Sequence, residues 1–155
     1  MALRKIISGG QTGVDRAALD AAIALNLPHG GWCPAGRLAE DGIIPDKYHL
    51  SETNSRQYQE RTRLNVCDSD LSLIIIQDKS WGKGTLYTKQ VCIQQKKKFV
   101  LYDISLDSFD DLLEALLSLP DSAVLNLAGN RESTTAGIYN KSYQLFLRLF
   151  MLCRQ

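Results

Sequence analysis

The sequence predicts an α/β fold: a mostly parallel sheet of about five or more strands, with helices on both faces in a three-layer arrangement. Three observations lead there. Apolar segments of strand length alternate with helical patterns along the 155 residues. Leu71-Ser72-Leu73-Ile74-Ile75-Ile76 is nearly continuous in apolar character, as suits a central strand covered on both sides. The eleven glycines fall between the periodic segments, where the backbone must turn or let a ligand come close.

Taken in order, Lys5-Ile6-Ile7-Ser8 is a short strand. A helix follows from about Val14 to Leu25, with Val14, Ala17, Ala18, Ala21, Ala22 and Leu25 on one face; its small side chains allow close packing on a sheet. A short strand near His29–Trp32 leads into a long loop rich in Pro, Gly and polar residues, and a helix covers Arg56 to Val66. After the apolar run at 71–76 come a helix from about Thr85 to Gln95 and the strand Phe99–Tyr102. Ser108 with Asp111 marks another helix start; Phe109, Leu112, Leu113 and Leu116 form its buried stripe, and Pro120 closes it. Ala123–Leu127 is a strand, and a final helix runs from about Ala136 to Cys153. The apolar residues of that helix cover more than one narrow face, which makes it a candidate contact for a second copy, a homo-oligomer. No repeat or linker divides the chain, so residues 1–155 read as a single ligand-binding domain.

Composition narrows the function. Eighteen Lys+Arg against 17 Asp+Glu leave a net charge of +1, so there is no general attraction to nucleic acid or to an anionic membrane, and any anion site must be local. No apolar stretch approaches the length of a membrane span, and the N-terminus lacks a signal-peptide core. Cys33, Cys67, Cys92 and Cys153 are far apart and read as reduced thiols. A cytoplasmic setting is expected. With two histidines and no close Cys/His/carboxylate spacing, no protein-ligated metal is expected.

In doubly wound sheets ligands sit beyond the carboxyl ends of the strands, so chemistry is sought in the loops that follow strands. Ser8-Gly9-Gly10-Gln11-Thr12-Gly13 offers a tight turn, close backbone approach and a helix N-terminus, with Gln11 and Thr12 adding side-chain hydrogen bonds. It matches neither a P-loop nor G-x-G-x-x-G, and a plain strand-to-helix turn is the alternative. Ser80-Trp81-Gly82-Lys83-Gly84-Thr85 repeats the design, Lys83 supplying charge and Trp81 a flat surface. In Leu127-Ala128-Gly129-Asn130-Arg131-Glu132-Ser133, Arg131 is suited to fork a phosphate or carboxylate, with Glu132 as a candidate partner and Ser133 as a candidate helix cap. The long middle loop adds Arg37 as an anion contact, and Asp41, Glu52 and His49 as proton-transfer candidates whose geometry nothing local fixes.

The combination resembles a known family. Ile7-Ser8-Gly9-Gly10-Gln11-Thr12-Gly13-Val14-Asp15, Gly31-Trp32-Cys33-Pro34-Ala35-Gly36-Arg37 and Ala39-Glu40-Asp41-Gly42 are similar to the molybdenum carrier (molybdenum cofactor carrier-like) family. Arg63-Leu64-Asn65-Val66, Asp68-Ser69-Asp70, Gly84-Thr85 and the segment 127–133 continue the match. That family resembles the wider Rossmann-like LOG/SLOG nucleotide-binding superfamily. The resemblance implies a Rossmann-like domain that binds a phosphate-bearing ligand, either a molybdopterin-type cofactor or a nucleotide derivative. By position, Gly9, Gly10, Thr12, Gly13, Gly84 and Thr85 would be phosphate contacts, with Arg37 and Arg131 as clamps. LOG phosphoribohydrolases carry Pro-Gly-Gly-x-Gly-Thr-x-x-Glu, whose glutamate serves catalysis. Here Thr88 stands in the glutamate position, and a hydroxyl cannot act as a carboxylate base near neutral pH. The resemblance therefore implies a binding or carrier protein rather than a hydrolase of the usual route; Asp15, Asp41 and Glu52 remain as substitute acids for a nucleotide-processing enzyme, and a ligand sensor is the third reading.

Overall fold

The computed structural model describes residues 3–154. In chain order the first half comprises β1 (Leu3–Ile7), α1 (Val14–Ala24), β2 (His29–Gly30), β3 (Trp32–Cys33), β4 (Leu38–Ala39), β5 (Gly42–Ile43), β6 (Ser51–Glu52) and α2 (Tyr58–Cys67). The second comprises β7 (Leu71–Ile76), α3 (Lys83–Gln94), β8 (Phe99–Asp103), α4 (Phe109–Leu117), β9 (Ala123–Gly129) and α5 (Ile138–Cys153). Five strands form the central sheet in the order β2-β1-β9-β7-β8, and every pairing is parallel.

All six side chains of β7 are buried, as its apolar run requires. Successive residues point to opposite faces: Leu73 and Ile75 join a core with α1, α4 and α5, while Ile74 joins Val66 of α2 with Val91 and Cys92 of α3. Alanines 17, 18, 21 and 22 of α1 are fully buried, so that helix lies close to both the sheet and α5. One polar pair is set within the sheet: the amide of Asn126 donates to the Ser72 hydroxyl at 3.0 Å, which satisfies both groups across neighbouring strands. The three layers of an α/β Rossmann-like fold follow from these two packed faces.

The topology carries a feature that periodicity could not show. The last strand, β9, sits in the middle of the sheet, between β1 and β7. Counted from β9, the strand order becomes 3-2-1-4-5, that of a doubly wound nucleotide-binding sheet.

The expected long loop after residue 30 is more ordered than its composition suggests. β3 pairs with β6 in parallel, and β4 with β5 as a hairpin. A satellite core of Leu19, Cys33, Ile44 and Tyr48 lies beneath them. Arg37 holds this segment together. Its guanidinium donates to the carbonyls of Ile44 (3.0 Å), Leu50 (3.3 Å), Pro45 (2.8 Å) and Tyr48 (2.9 Å). The side chain expected to clamp an anion instead serves carbonyl groups that a folded loop would otherwise leave unpaired. The four cysteines are free, as expected. Among the described residues no helix is long and apolar enough to cross a membrane.

Candidate functional site

β7 and β9 are neighbours, but the chain leaves them in opposite directions, β7 toward α3 on one face and β9 toward α5 on the other. A cavity of about 540 Å³ opens at this divergence, as in other doubly wound sheets. Three strand-to-helix loops and α2 build its walls.

The loop between β7 and α3 supplies Trp81, Gly82, Lys83, Gly84 and Thr85. The helix begins two residues earlier than expected, so Lys83 and Gly84 lie in its first turn. No side chain caps it, and first-turn amides have no acceptor within the helix, so the positive end of the α3 dipole faces the cavity. Asn130, which is 1% exposed, joins this loop to the one after β9. Its Oδ1 accepts from the Gly82 amide at 2.9 Å and the Thr85 hydroxyl at 2.7 Å, while its Nδ2 donates to the Ser80 carbonyl at 2.8 Å and Thr135 Oγ1 at 3.1 Å.

From α2, Arg61 reaches under the β1 loop and lines the cavity. It lies 3.4 Å from the Asp15 carboxylate, and its Nε is a buried donor with no protein partner. A largely buried guanidinium whose Nε is an unused donor is suited to an anion. Burial pushes the Asp15 carboxyl above its ordinary value, and the charge of Arg61 and a hydrogen bond from the Gln11 amide oppose that rise only in part. Trp81 and Tyr58 add flat faces.

Residues 6–150 match the circularly permutated YpsA SLOG family. The strand order agrees, because moving β9 to the front restores the doubly wound sequence of strands. The chain belongs to the circularly permutated YpsA SLOG family. It is also similar to a solved structure from Syntrophus aciditrophicus SB, of a protein provisionally named a molybdenum carrier. The two share 42% identity over 97% of this chain and 96% of that one, with a TM-score of 0.88. No curated protein matches the chain.

In this SLOG chain the sequence candidates separate into two groups. Gln11, Lys83, Gly84, Thr85 and Arg131 line the cavity together with Thr88, whose hydroxyl donates to the Gly84 carbonyl at 3.0 Å. Gly9, Gly10, Thr12 and Gly13 are close by, but the amides around them serve the protein itself. Gly10 N–H donates to the Ser8 hydroxyl, Gln11 N–H to Asp15, Thr12 N–H to the Gln11 side chain, and Val14 N–H to the Asn130 carbonyl. These glycines are required by close approach: a Cβ at Gly9 would overlap Arg61, and one at Gly13 would meet the backbone of residues 130–132. Arg37 is bound up in the middle segment. Asp41 pairs with Arg16 at 2.9 and 3.1 Å, and Glu52 accepts from the Gly36 amide at 2.7 Å; neither lines the cavity.

Two further expectations are corrected. Glu132, not Ser133, caps α5, accepting from the amides of Gly137 (2.6 Å) and Tyr139 (3.0 Å). Arg131 pairs with Glu40 at 3.5 Å rather than with Glu132. Arg61 was missed. Its signal lay in the spacing of Tyr58, Arg61 and Asn65, polar side chains on one helical face beside the apolar Leu64 and Val66. Among the described residues no group of three or more His, Cys, Asp or Glu is placed to hold a metal ion.

Proposed function

We propose that the chain is a carrier-like protein that binds a phosphate-bearing small molecule in the switch-point cavity. The ligand is a molybdopterin-type cofactor held as cargo, or a nucleotide derivative. The observation that carries this reading is the convergence of the uncapped α3 N-terminus with Arg61, whose buried Nε lacks an acceptor. Arg131 and Lys83 add positive charge, and Trp81 and Tyr58 offer surfaces on which a pterin or a base would stack. Similarity to the Syntrophus aciditrophicus protein supports the carrier side of the reading.

Calorimetric titration with nucleoside phosphates and molybdopterin tests it. Saturable binding is expected, and Arg61→Ala should weaken it by roughly 10–100-fold, the range for a lost hydrogen bond to a charged group. A flat titration across the panel overturns the reading. A nucleotide-processing hydrolase is the second reading, and one observation favours it. Among the described residues lining the cavity, Asp15 carries the carboxylate, and burial raises its carboxyl above its ordinary value. Release of base from a nucleoside monophosphate, abolished by Asp15→Asn, would decide for the enzyme.

A further inference from the structure

Glu40 stands at the turn between β4 and β5, and its carboxylate reaches the rim of the cavity. Oε1 accepts from the Thr12 hydroxyl and from the Ser133 amide at 3.2 Å. Oε2 accepts from the Ser133 hydroxyl at 2.5 Å and lies 3.5 Å from Arg131 Nη1. One amide, two hydroxyls and a guanidinium therefore converge on one carboxylate, from the loops after β1 and β9. These are the donor types that hold a phosphate. Burial works against the charge on Glu40, but the bonds from Ser133 and Thr12 and the charge of Arg131 outweigh it and hold the carboxyl below its ordinary value.

Arg131 and Ser133 also line the cavity, so three of the four donors that hold Glu40 belong to residues open to an anion inside it. The main chain around Glu40 is anchored independently. The Glu40 amide donates to Gln11 Oε1 at 2.9 Å, and Asp41 beside it holds Arg16. Rotation about the side-chain bonds of Glu40 is enough to vacate the donors while the hairpin stays in place. Its side chain is 21% exposed, so it has solvent to move into.

Building on the cavity reading above, we propose that Thr12, Ser133 and Arg131 form a second anion subsite which Glu40 fills in the free protein, and that the ligand carries two anionic groups, as a diphosphate does. The first group sits at the α3 N-terminus with Arg61. The second takes the donors from Glu40, because two like charges cannot share them. The subsite thus selects doubly anionic ligands over singly anionic ones.

The test titrates inorganic phosphate and pyrophosphate into the wild type, Glu40→Gln and Arg61→Ala. Removing a competitor that fills the subsite about nine-tenths of the time raises affinity about tenfold. Glu40→Gln is therefore expected to tighten pyrophosphate by that factor and to leave orthophosphate nearly unchanged. Unchanged or weaker pyrophosphate binding in Glu40→Gln overturns the subsite; if Arg61→Ala still weakens phosphate binding by roughly 10–100-fold, the cavity reading stands alone. Failure of both anions to bind any of the proteins overturns both. A measurement on the wild type guards against a misfolded variant. Carboxyl carbon NMR should show the Glu40 titration moving up toward the ordinary glutamate range on saturation with pyrophosphate but not with phosphate, and an unmoved midpoint with pyrophosphate refutes displacement.

Discussion

Asn130→Ala removes the side chain that joins the two loops of the cavity. Four hydrogen bonds are lost, two accepted and two donated, at a residue that is 1% exposed. At about 0.5–1.5 kcal/mol net per bond the loss sums to roughly 2–6 kcal/mol. Gly82 borders the cavity, where water can replace its lost partner, so about 2–4 kcal/mol is expected. For a chain of this length that lowers Tm by roughly 4–16 °C. Urea unfolding followed by the fluorescence of Trp32 and Trp81 measures the change, with the slope unaltered if the unfolded ensemble is the same. Asn130→Asp is the companion. It keeps the two accepted bonds but sets an oxygen against the Ser80 carbonyl and a negative charge beside the cavity. It should therefore weaken phosphate binding more than its stability loss accounts for. If Asn130→Ala unfolds within about 0.5 kcal/mol of the wild type, as an ordinary surface change does, the bridging role is refuted.

Two other perturbations follow from the same geometry. A Cβ at Gly9 meets the flexible end of Arg61, so Gly9→Ala should cost about 1–3 kcal/mol while weakening phosphate binding at least about tenfold. Gly13 has φ of 80° and backbone within 2.9 Å of an added Cβ, so Gly13→Ala should fail to fold stably; melting curves and phosphate titrations of the two variants separate these outcomes. Burial opposes the charge of Asp103, but bonds from Ser105 and from the amides of Lys79 (2.7 Å) and Asp78 (3.1 Å) outweigh it and hold its carboxyl below its ordinary value. The unfolded chain then binds the proton more readily. The stabilisation is complete above the ordinary aspartate range and is lost as pH falls through the depressed value. Asp103→Asn should be least stable relative to wild type at pH 7, with the gap closing in acid; parallel stability curves across pH would contradict this.

Much of the scaffold was legible because single-residue preferences agreed with the packing they serve. The apolar run of β7 and the small residues of α1 each state which surface they need to bury, and the structure buries both. The glycine-rich loops were legible as places of close approach, but not as to what approaches. At Gly9 it is Arg61, and at Gly13 it is the backbone after β9, neither near in sequence. Arg37 could not be read correctly for a similar reason: its four acceptors are carbonyls, which are present at every residue and leave no mark in composition. The central place of β9 was invisible because strand order is settled by which faces are covered, and β7 and β9 are both apolar enough to occupy an inner position.

The interior position of β9 also sets when the protein can become competent. Leu3 of the first strand pairs with Ala123, so β1 waits for a segment far along the chain before the sheet can join up. Such distant pairing is slow to nucleate, and until then the edges of β1 and β7 stay unpaired. A nascent chain halted before residue 123 would hold the β1 loop, Arg61 and the start of α3 but lack Asn130 and Arg131, and with them the wall that draws the pieces together. On the proposed reading, capacity to hold a ligand would accordingly arrive in one step, once β9 and the loop after it are made, rather than accumulating as the polypeptide grows.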